Sequence, residues 1–242
     1  MEKSKPTVLI TGITGYLGSH VCKVFLEDER YNIKGTVRDK SKKEKIDPIK
    51  AAFGENFEQL ELVEADLMDP ISLDWAIEGS EIVIHTASPN PSGNPKKESD
   101  VIDPAVNGTQ AILDVCAKHW VKRLVITSSF LTIFDPAKNI EVFDETDWLD
   151  PGKKTAVYNK SKVMAEKLAW DFQSKLPAAE RFEIVTLHPS LIFGPVLIKT
   201  PFTSEEIIYK LMMGKFPGIP KINVALVDVR DVAIAHLRAL DC

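Results

Sequence analysis

A tyrosine and a lysine four positions apart, Tyr158 and Lys162, carry the sharpest chemical signal in this 242-residue sequence. On a helix that spacing projects both side chains from one face, one turn apart. A free phenol, with a pKa of about 10, holds its proton too tightly for easy exchange at neutral pH. A lysine ammonium about 4 Å away, at an effective dielectric of about 20, favours the phenolate by about 4 kcal/mol, or about three pK units. Such a pair can pass a proton to an oxygen that is developing negative charge. Ser129, in the serine pair that ends the apolar run Arg123 to Thr127, supplies a hydroxyl that can bind the same oxygen. The spacing alone is common, and a surface tyrosine and lysine would share it. Its force comes from the elements that would carry it.

Near the N-terminus, Gly12, Gly15 and Gly18 punctuate the turn between a first apolar strand and a helix continuing through Val21, Val24 and Phe25. In a strand-to-helix turn the first glycine permits the bend, the second lets backbone approach a pyrophosphate, and the third allows the helix to pack on the strand. Thr14, Tyr16 and Leu17 lie in that turn and are read with it as cofactor-binding, since the helix N-terminus offers free N–H groups and a positive dipole end. Twenty residues beyond Gly18 stands Arg38, where the adenosine ribose of a dinucleotide should arrive. A guanidinium there suits the 2′-phosphate of NADP, with Lys45 as a second positive charge, and makes NAD the less favoured cofactor. Asp39 argues the other way, because neighbours on an extended segment point oppositely and only one can face the ribose.

Asp66 and Leu67 close the third strand and would bracket the adenine, although Asp66 could equally cap the helix after Pro70. The small residues Thr86, Ala87 and Ser88 after the fourth strand would let backbone lie close to the cofactor. His85 before them is read as a satisfied strand-end histidine. Hydride from NADPH with a proton from Tyr158 amounts to carbonyl reduction, in which Lys162 also donates to the nicotinamide ribose.

Six short β-branched runs, at residues 7–11, 32–37, 60–64, 82–85, 123–127 and 183–187, alternate with longer amphipathic stretches. One of these, from about Thr155 to Leu176, carries Tyr158 and Lys162. Strands separated by helical crossovers, each nearly continuous in apolar residues, predict a doubly wound parallel α/β sheet, the Rossmann fold. Residues 1–188 form the expected dinucleotide-binding domain. Residues 189–242 form a small substrate lobe interleaved with the last core elements: a helix near Ser204 to Met213, a strand around Ala225 to Val229, and a helix from Val232 to Leu240. The chain stops just after that helix, which is compatible with a complete protein or a truncated one.

With 44% apolar and 27% charged residues the composition is that of a soluble globular protein, and a net charge of -5 gives no reason to expect a nucleic-acid partner. The basic run Lys40, Lys42, Lys43, Lys45 is local and suits a solvated helix start as well as a function. Cys22, Cys116 and Cys242 contain no paired motif, and none of the five histidines is spaced as a metal ligand, so no disulfide framework or metal site is expected. With neither a signal-peptide core nor a membrane-length apolar run, a cytoplasmic monomer or homodimer is expected. Two sequon matches, at Asn107 and Asn159, fall in predicted helices and read as accidental.

Gly12, Gly15 and Gly18, Asp66 with Leu67, His85 to Pro89, Asn107 to Thr109, Ser128 with Ser129, Tyr158 with Lys162, and His188 to Pro195 together resemble an extended short-chain dehydrogenase/reductase of the epimerase/dehydratase superfamily. Thr36 to Asp39 and Val227 to Ala233 are similar to its dihydroflavonol reductase and cinnamoyl-CoA reductase branch, and the likeness covers essentially the whole chain. It implies an NADP-dependent oxidoreductase acting on CH–OH/C=O groups of a small carbonyl substrate, with Ser129, Tyr158 and Lys162 catalytic and Arg38 with Lys45 on the 2′-phosphate. By the same resemblance Pro189, Ser190 and Ile192 line the nicotinamide and Ser204 approaches the pyrophosphate. Asn107 is then the helix asparagine of this fold's active site, or a buried kinking residue beside Gly108.

The sequence also departs from that family. Members usually continue past a helix like the one ending at Leu240, which implies an open pocket here. Phe130 to Phe134 are bulkier than usual after the serine pair, which argues against flavonoids and for a carbonyl with an apolar body. His188 replaces the more usual asparagine or isoleucine before the proline. Two other functions share the same residues. A nucleotide-sugar epimerase or dehydratase uses this triad with NAD, against which stand Arg38 and Asn159, where those enzymes often have glycine. A non-catalytic dinucleotide-binding protein is the other.

Overall fold

The computed structural model describes residues 4–88, 97–152, 154–199, 203–215, 218 and 225–241, with the side chains of 203–207 outside that description. Pro89 and the rest of the loop to Pro95, the Ser204 side chain and Cys242 therefore lie outside the described residues.

Six parallel strands, β1 (Thr7–Thr11), β2 (Asn32–Val37), β3 (Leu60–Glu64), β4 (Ile82–His85), β5 (Arg123–Thr127) and β6 (Glu183–Leu187), form one sheet in the order β3-β2-β1-β4-β5-β6. Each strand matches the expected run. Alternation along the strands sends residues to both faces, and both are covered. Val8, Ile10 and Val125 pack with Phe25 of α1 (Tyr16–Asp28), Ile49 of α2 (Lys43–Phe53) and Ala233 of the last helix. Leu9, Leu124 and Ile126 pack with Leu73 of α3 (Pro70–Ile77), Ile112 of α4 (Ser99–Lys118) and Ala169 of α5 (Val157–Lys175). Burial on both sides explains why these strands read as continuous apolar runs instead of alternating ones.

The strand order reverses between β1 and β4. In an open parallel sheet the carboxyl ends of the strands beside that reversal diverge and leave a crevice for ligand. Thr11 at the end of β1 pairs in register with His85 at the end of β4, so the glycine turn and the segment after β4 meet at this point.

Beyond β6 the structure corrects the sequence reading. Leu191–Phe193 forms an unanticipated strand, β7, parallel to β8 (Leu226–Asp228) in a separate two-stranded sheet; α6 spans Thr203–Met212. The last helix, α7 (Val229–Arg238), begins three residues earlier than expected because the Asp228 carboxylate accepts from the Arg230 N–H as its N-cap. At α3 the cap is Asp69, which accepts from Ile71 N–H, with Pro70 at the first helical position. Asp66 instead closes the preceding turn on Met68 N–H, so its reading as a helix cap is corrected. No helix among the described residues is long and apolar enough to cross a membrane.

Candidate active site

Gly12 sits at φ +73°, in the left-handed region, with its N–H donating to Thr36 Oγ1 at 2.9 Å. A Cβ added there would stand 3.0 Å from the Ala87 Cβ, so the turn after β1 touches the segment after β4 backbone to backbone. At Gly18 a Cβ would lie 2.3 Å from the Gly12 carbonyl oxygen. The third glycine thus lets α1 pack directly on the first glycine's turn, a closer approach than any side chain tolerates. Gly15 occupies the N-cap position, no side chain caps α1, and no acidic residue lies in its first turn. That leaves a helix N-terminus with its dipole uncompensated beside a bare backbone loop, which fits an anionic pyrophosphate. Leu17 is partly buried on α1, and the Tyr16 ring is buried edge-on to His20 at 5.8 Å. Burial first, then the Asp228 charge, pushes the Tyr16 phenol up, so any contribution of Tyr16 to this loop comes from its backbone.

At the end of β2 the two candidate ribose-facing residues separate. Asp39 turns its carboxylate onto its own loop, accepting from the Ser41 hydroxyl at 2.6 Å and the Ser41 N–H at 2.9 Å, bonds that hold its pKa below the usual carboxylate value. Arg38 is exposed and makes no ion pair among the described residues. Lys45 is exposed in the first turn of α2. Asp66 is exposed and Leu67 partly covered beyond β3.

A small cleft lies at the carboxyl edge of β4 and β5. Ala87 and Ser88 line it from β4, Thr127 and Ser128 from β5, and Lys162 and Glu166 from α5, with His85 behind them. Thr86 donates its hydroxyl to the Thr11 carbonyl at 2.6 Å, and Ala87 N–H donates to Thr11 Oγ1 at 3.1 Å, which fixes this segment against β1. His85 is buried with Nδ1 3.0 Å from Thr11 Oγ1; burial, then the Lys162 charge, lowers its pKa to about 4, so it is a neutral, hydrogen-bonded strand-end residue.

Lys162 donates to the Thr127 carbonyl at 3.4 Å, and burial lowers its pKa to about 8 against the opposing pull of Glu166. Ser129 is buried and does not line the cleft, unlike Ser128; its Oγ accepts from Leu131 N–H at 3.3 Å, so its own proton is free to donate elsewhere. Tyr158, one turn before Lys162 and 50% exposed, makes no hydrogen bond to Lys162 or Ser129 among the described residues. Burial pushes its phenol above the ordinary value, and Lys162 does not contribute to the shift. The expectation that the ammonium brings the phenol near neutrality is therefore corrected: desolvation dominates at the tyrosine.

Other expectations come out differently. Asn107 is exposed on α4 and absent from the cleft, which is lined from that helix by Ala105 and Thr109; its reading as a buried kinking residue does not hold. Pro189 accepts from Phe130 N–H at 3.1 Å, tying the start of the 189–192 segment to the residue after Ser129, and Ile192 pairs with Val227 in β7. Ser190 is partly buried in the same segment.

The apolar run Phe130 to Phe134 singled out in the sequence forms an aromatic cluster, with Phe130 and Phe134 centroids 6.0 Å apart and Phe143 joining at 5.1 Å. One feature escaped the sequence reading. Behind Lys162, the buried Glu166 carboxylate accepts from the Ser128 hydroxyl and from His188 Nε2 at 2.8 Å. Burial opposes its charge, but these hydrogen bonds hold its pKa below the usual value. The only hint in the sequence was spacing, because Tyr158, Lys162 and Glu166 succeed one another every four residues. Among the described residues no group of three or more His, Cys, Asp or Glu side chains is placed to hold a metal ion.

Known proteins share this architecture. Residues 9–241 match the model of the 3-beta hydroxysteroid dehydrogenase/isomerase family. Cinnamoyl-CoA reductase 1 of Arabidopsis thaliana is 37% identical over 236 residues, which covers 96% of this chain and 65% of the plant protein. The ketoreductase azaE of Aspergillus niger is 36% identical over 253 residues, covering 97% of this chain and 73% of its own length. Among solved structures, yeast methylglyoxal/isovaleraldehyde reductase Gre2 complexed with NADPH superposes with a TM-score of 0.84 at 30% identity, over 98% of this chain and 74% of that one.

Proposed function

This chain belongs to the 3-beta hydroxysteroid dehydrogenase/isomerase family, within the extended short-chain dehydrogenases/reductases, and on that premise we propose that it is an NADPH-dependent reductase of an aldehyde or ketone with an apolar body. The observation that carries the reading is the cleft at the carboxyl edge of β4 and β5, where Lys162 and Ser128 face Ala87, itself in contact with the glycine turn.

The bare N-terminus of α1 with Gly12 and Gly15 would hold the pyrophosphate, Arg38 and Lys45 the 2′-phosphate, and Asp66 and Leu67 the adenine. Thr86 to Ser88, Pro189, Ser190 and Ile192 would lie along the nicotinamide side, with Ser204 toward the pyrophosphate. When bound, the reduced nicotinamide supplies the hydride. The chain's own residues do the rest. Ser129 presents a free hydroxyl proton to the carbonyl oxygen and fixes its approach. Tyr158, kept protonated at neutral pH by its raised pKa, delivers its proton to the alkoxide, a downhill transfer because an alkoxide is far more basic than a phenolate. Lys162, charged below about pH 8, would donate to the ribose. Phe130, Phe134 and Phe143 form an apolar wall for the substrate's body.

Residues 1–188 serve as the dinucleotide-binding unit and 189–242 as a partial substrate lobe. Their interleaving is supported by α7, whose Ala233 shares an apolar cluster with Phe25 of α1. The test is NADPH oxidation with cinnamaldehyde, isovaleraldehyde, methylglyoxal and acetophenone. Tyr158→Phe is expected to lower kcat at least about a hundredfold, and equal turnover by wild type and variant on every reduced substrate would refute the assignment.

A further inference from the structure

Lys162 is a partly buried cation whose charge is disfavoured by the protein around it. Its Nζ reaches one backbone carbonyl, that of Thr127, at a long 3.4 Å. From β4 it faces His85, whose imidazole is neutral and offers no compensating charge. Among the described residues the carboxylate whose charge acts on Lys162 is Glu166, one helical turn further along α5 and lining the same cleft. A buried ammonium without an opposite charge loses its proton or its place.

Glu166 is itself unusual. It is 4% exposed, yet its carboxylate is fully engaged. Ser128 donates to Oε2, and Oε1 takes His188 Nε2 at 2.8 Å and Trp170 Nε1–H at 3.4 Å. His188 comes from the other side of the site, at the end of β6, where the parallel register also bonds Ser128 N–H to the Leu187 carbonyl at 2.8 Å. The carboxylate therefore ties α5, the Ser128–Ser129 strand end and the Pro189 segment together.

We propose that Glu166, clamped by His188, is a positioning residue for the reduction: it keeps Lys162 charged and in place, and His188 is the group that holds it there. The proposal rests on the function assigned above. Glu166 acts through Lys162 and Ser128.

The experiment compares the pH dependence of NADPH oxidation, with the panel carbonyl reduced fastest, and of NADPH affinity by nicotinamide fluorescence, from pH 6 to 10. Glu166→Gln keeps the shape and removes the charge. Its basic limb is expected to move toward acid by about one pH unit in both measurements, the lower end of the usual effect of a nearby opposite charge. His188→Gln, whose amide nitrogen can occupy the Nε2 position, is expected to stay within about twofold of wild type in kcat, whereas His188→Leu falls about tenfold or more with KM little changed. A purely structural role would lower thermal stability and leave the limb where it is. Superimposable profiles for wild type and Glu166→Gln, with Tyr158→Phe inactive, would overturn this proposal and leave the reductase assignment standing; an active Tyr158→Phe would remove both. Should Glu166→Gln not fold, equal kcat for His188→Gln and His188→Leu would overturn it.

Discussion

At the scale of single residues, the site is governed by what burial does to charge. Lys162 is brought down to about 8 and Tyr158 is pushed up, so neither keeps the value its chemistry alone would suggest. Part of this was legible in the sequence, since Tyr158, Lys162 and Ser129 announce a proton-transfer group by type and spacing. The direction of the tyrosine shift was not, because it depends on how much protein surrounds the phenol, and no local pattern encodes that. At Arg38 the sequence left Asp39 as an alternative, and in the structure the Asp39 carboxylate closes the Ser41 turn. Arg38→Ala is expected to cut the preference for NADPH over NADH at least about tenfold, the worth of a charge-assisted contact of about 1.5–3 kcal/mol. Fluorescence titration with both cofactors measures it, and an unchanged ratio would take the 2′-phosphate away from this residue.

At the scale of elements, the six strands were readable to their ends because each is a β-branched run bounded by turn residues and buried on both faces. The region after β6 was not, because β7 and β8 are three residues each and owe their existence to one another. Helix α7 is fastened to β5 by His236, which is fully buried. Its Nδ1–H donates to the Val232 carbonyl at 2.7 Å, so its Nε2 accepts from the Thr127 hydroxyl at 2.7 Å. Thr127 is also the residue whose carbonyl receives Lys162. His236→Phe removes that acceptor and strands a covered hydroxyl, at a cost of about 2 kcal/mol. The expected result is a Tm lower by roughly 4–8 °C for a chain of this size together with a reduced kcat, read by thermal unfolding and by turnover. A Tm unchanged within error would show that α7 docks through its apolar face alone.

At the scale of the whole molecule, two buried imidazoles make the fold sensitive to acid. His85 and His236 are both held near a pKa of about 4 in the folded chain, chiefly by burial, against 6.5 for the free side chain. Between those values the unfolded chain takes up protons that the folded one refuses. Stability should therefore fall as pH drops from about 6.5 to 4, by at most about 3 kcal/mol for each group, and stay flat on their account above 6.5. Urea midpoints at pH 7, 6, 5 and 4 test this, and His236→Gln should flatten the slope. A slope shared equally by wild type and that variant would assign the acid sensitivity to other groups. By itself the sequence determined the sheet, the glycine turn and the family, since these rest on local periodicity and on side-chain chemistry. Tertiary structure alone decided that Asn107 faces solvent, and that Glu166 and His188 meet behind Lys162. Those outcomes depend on which strands lie side by side and how deeply each group is covered, quantities that arise when segments distant in the chain pack together.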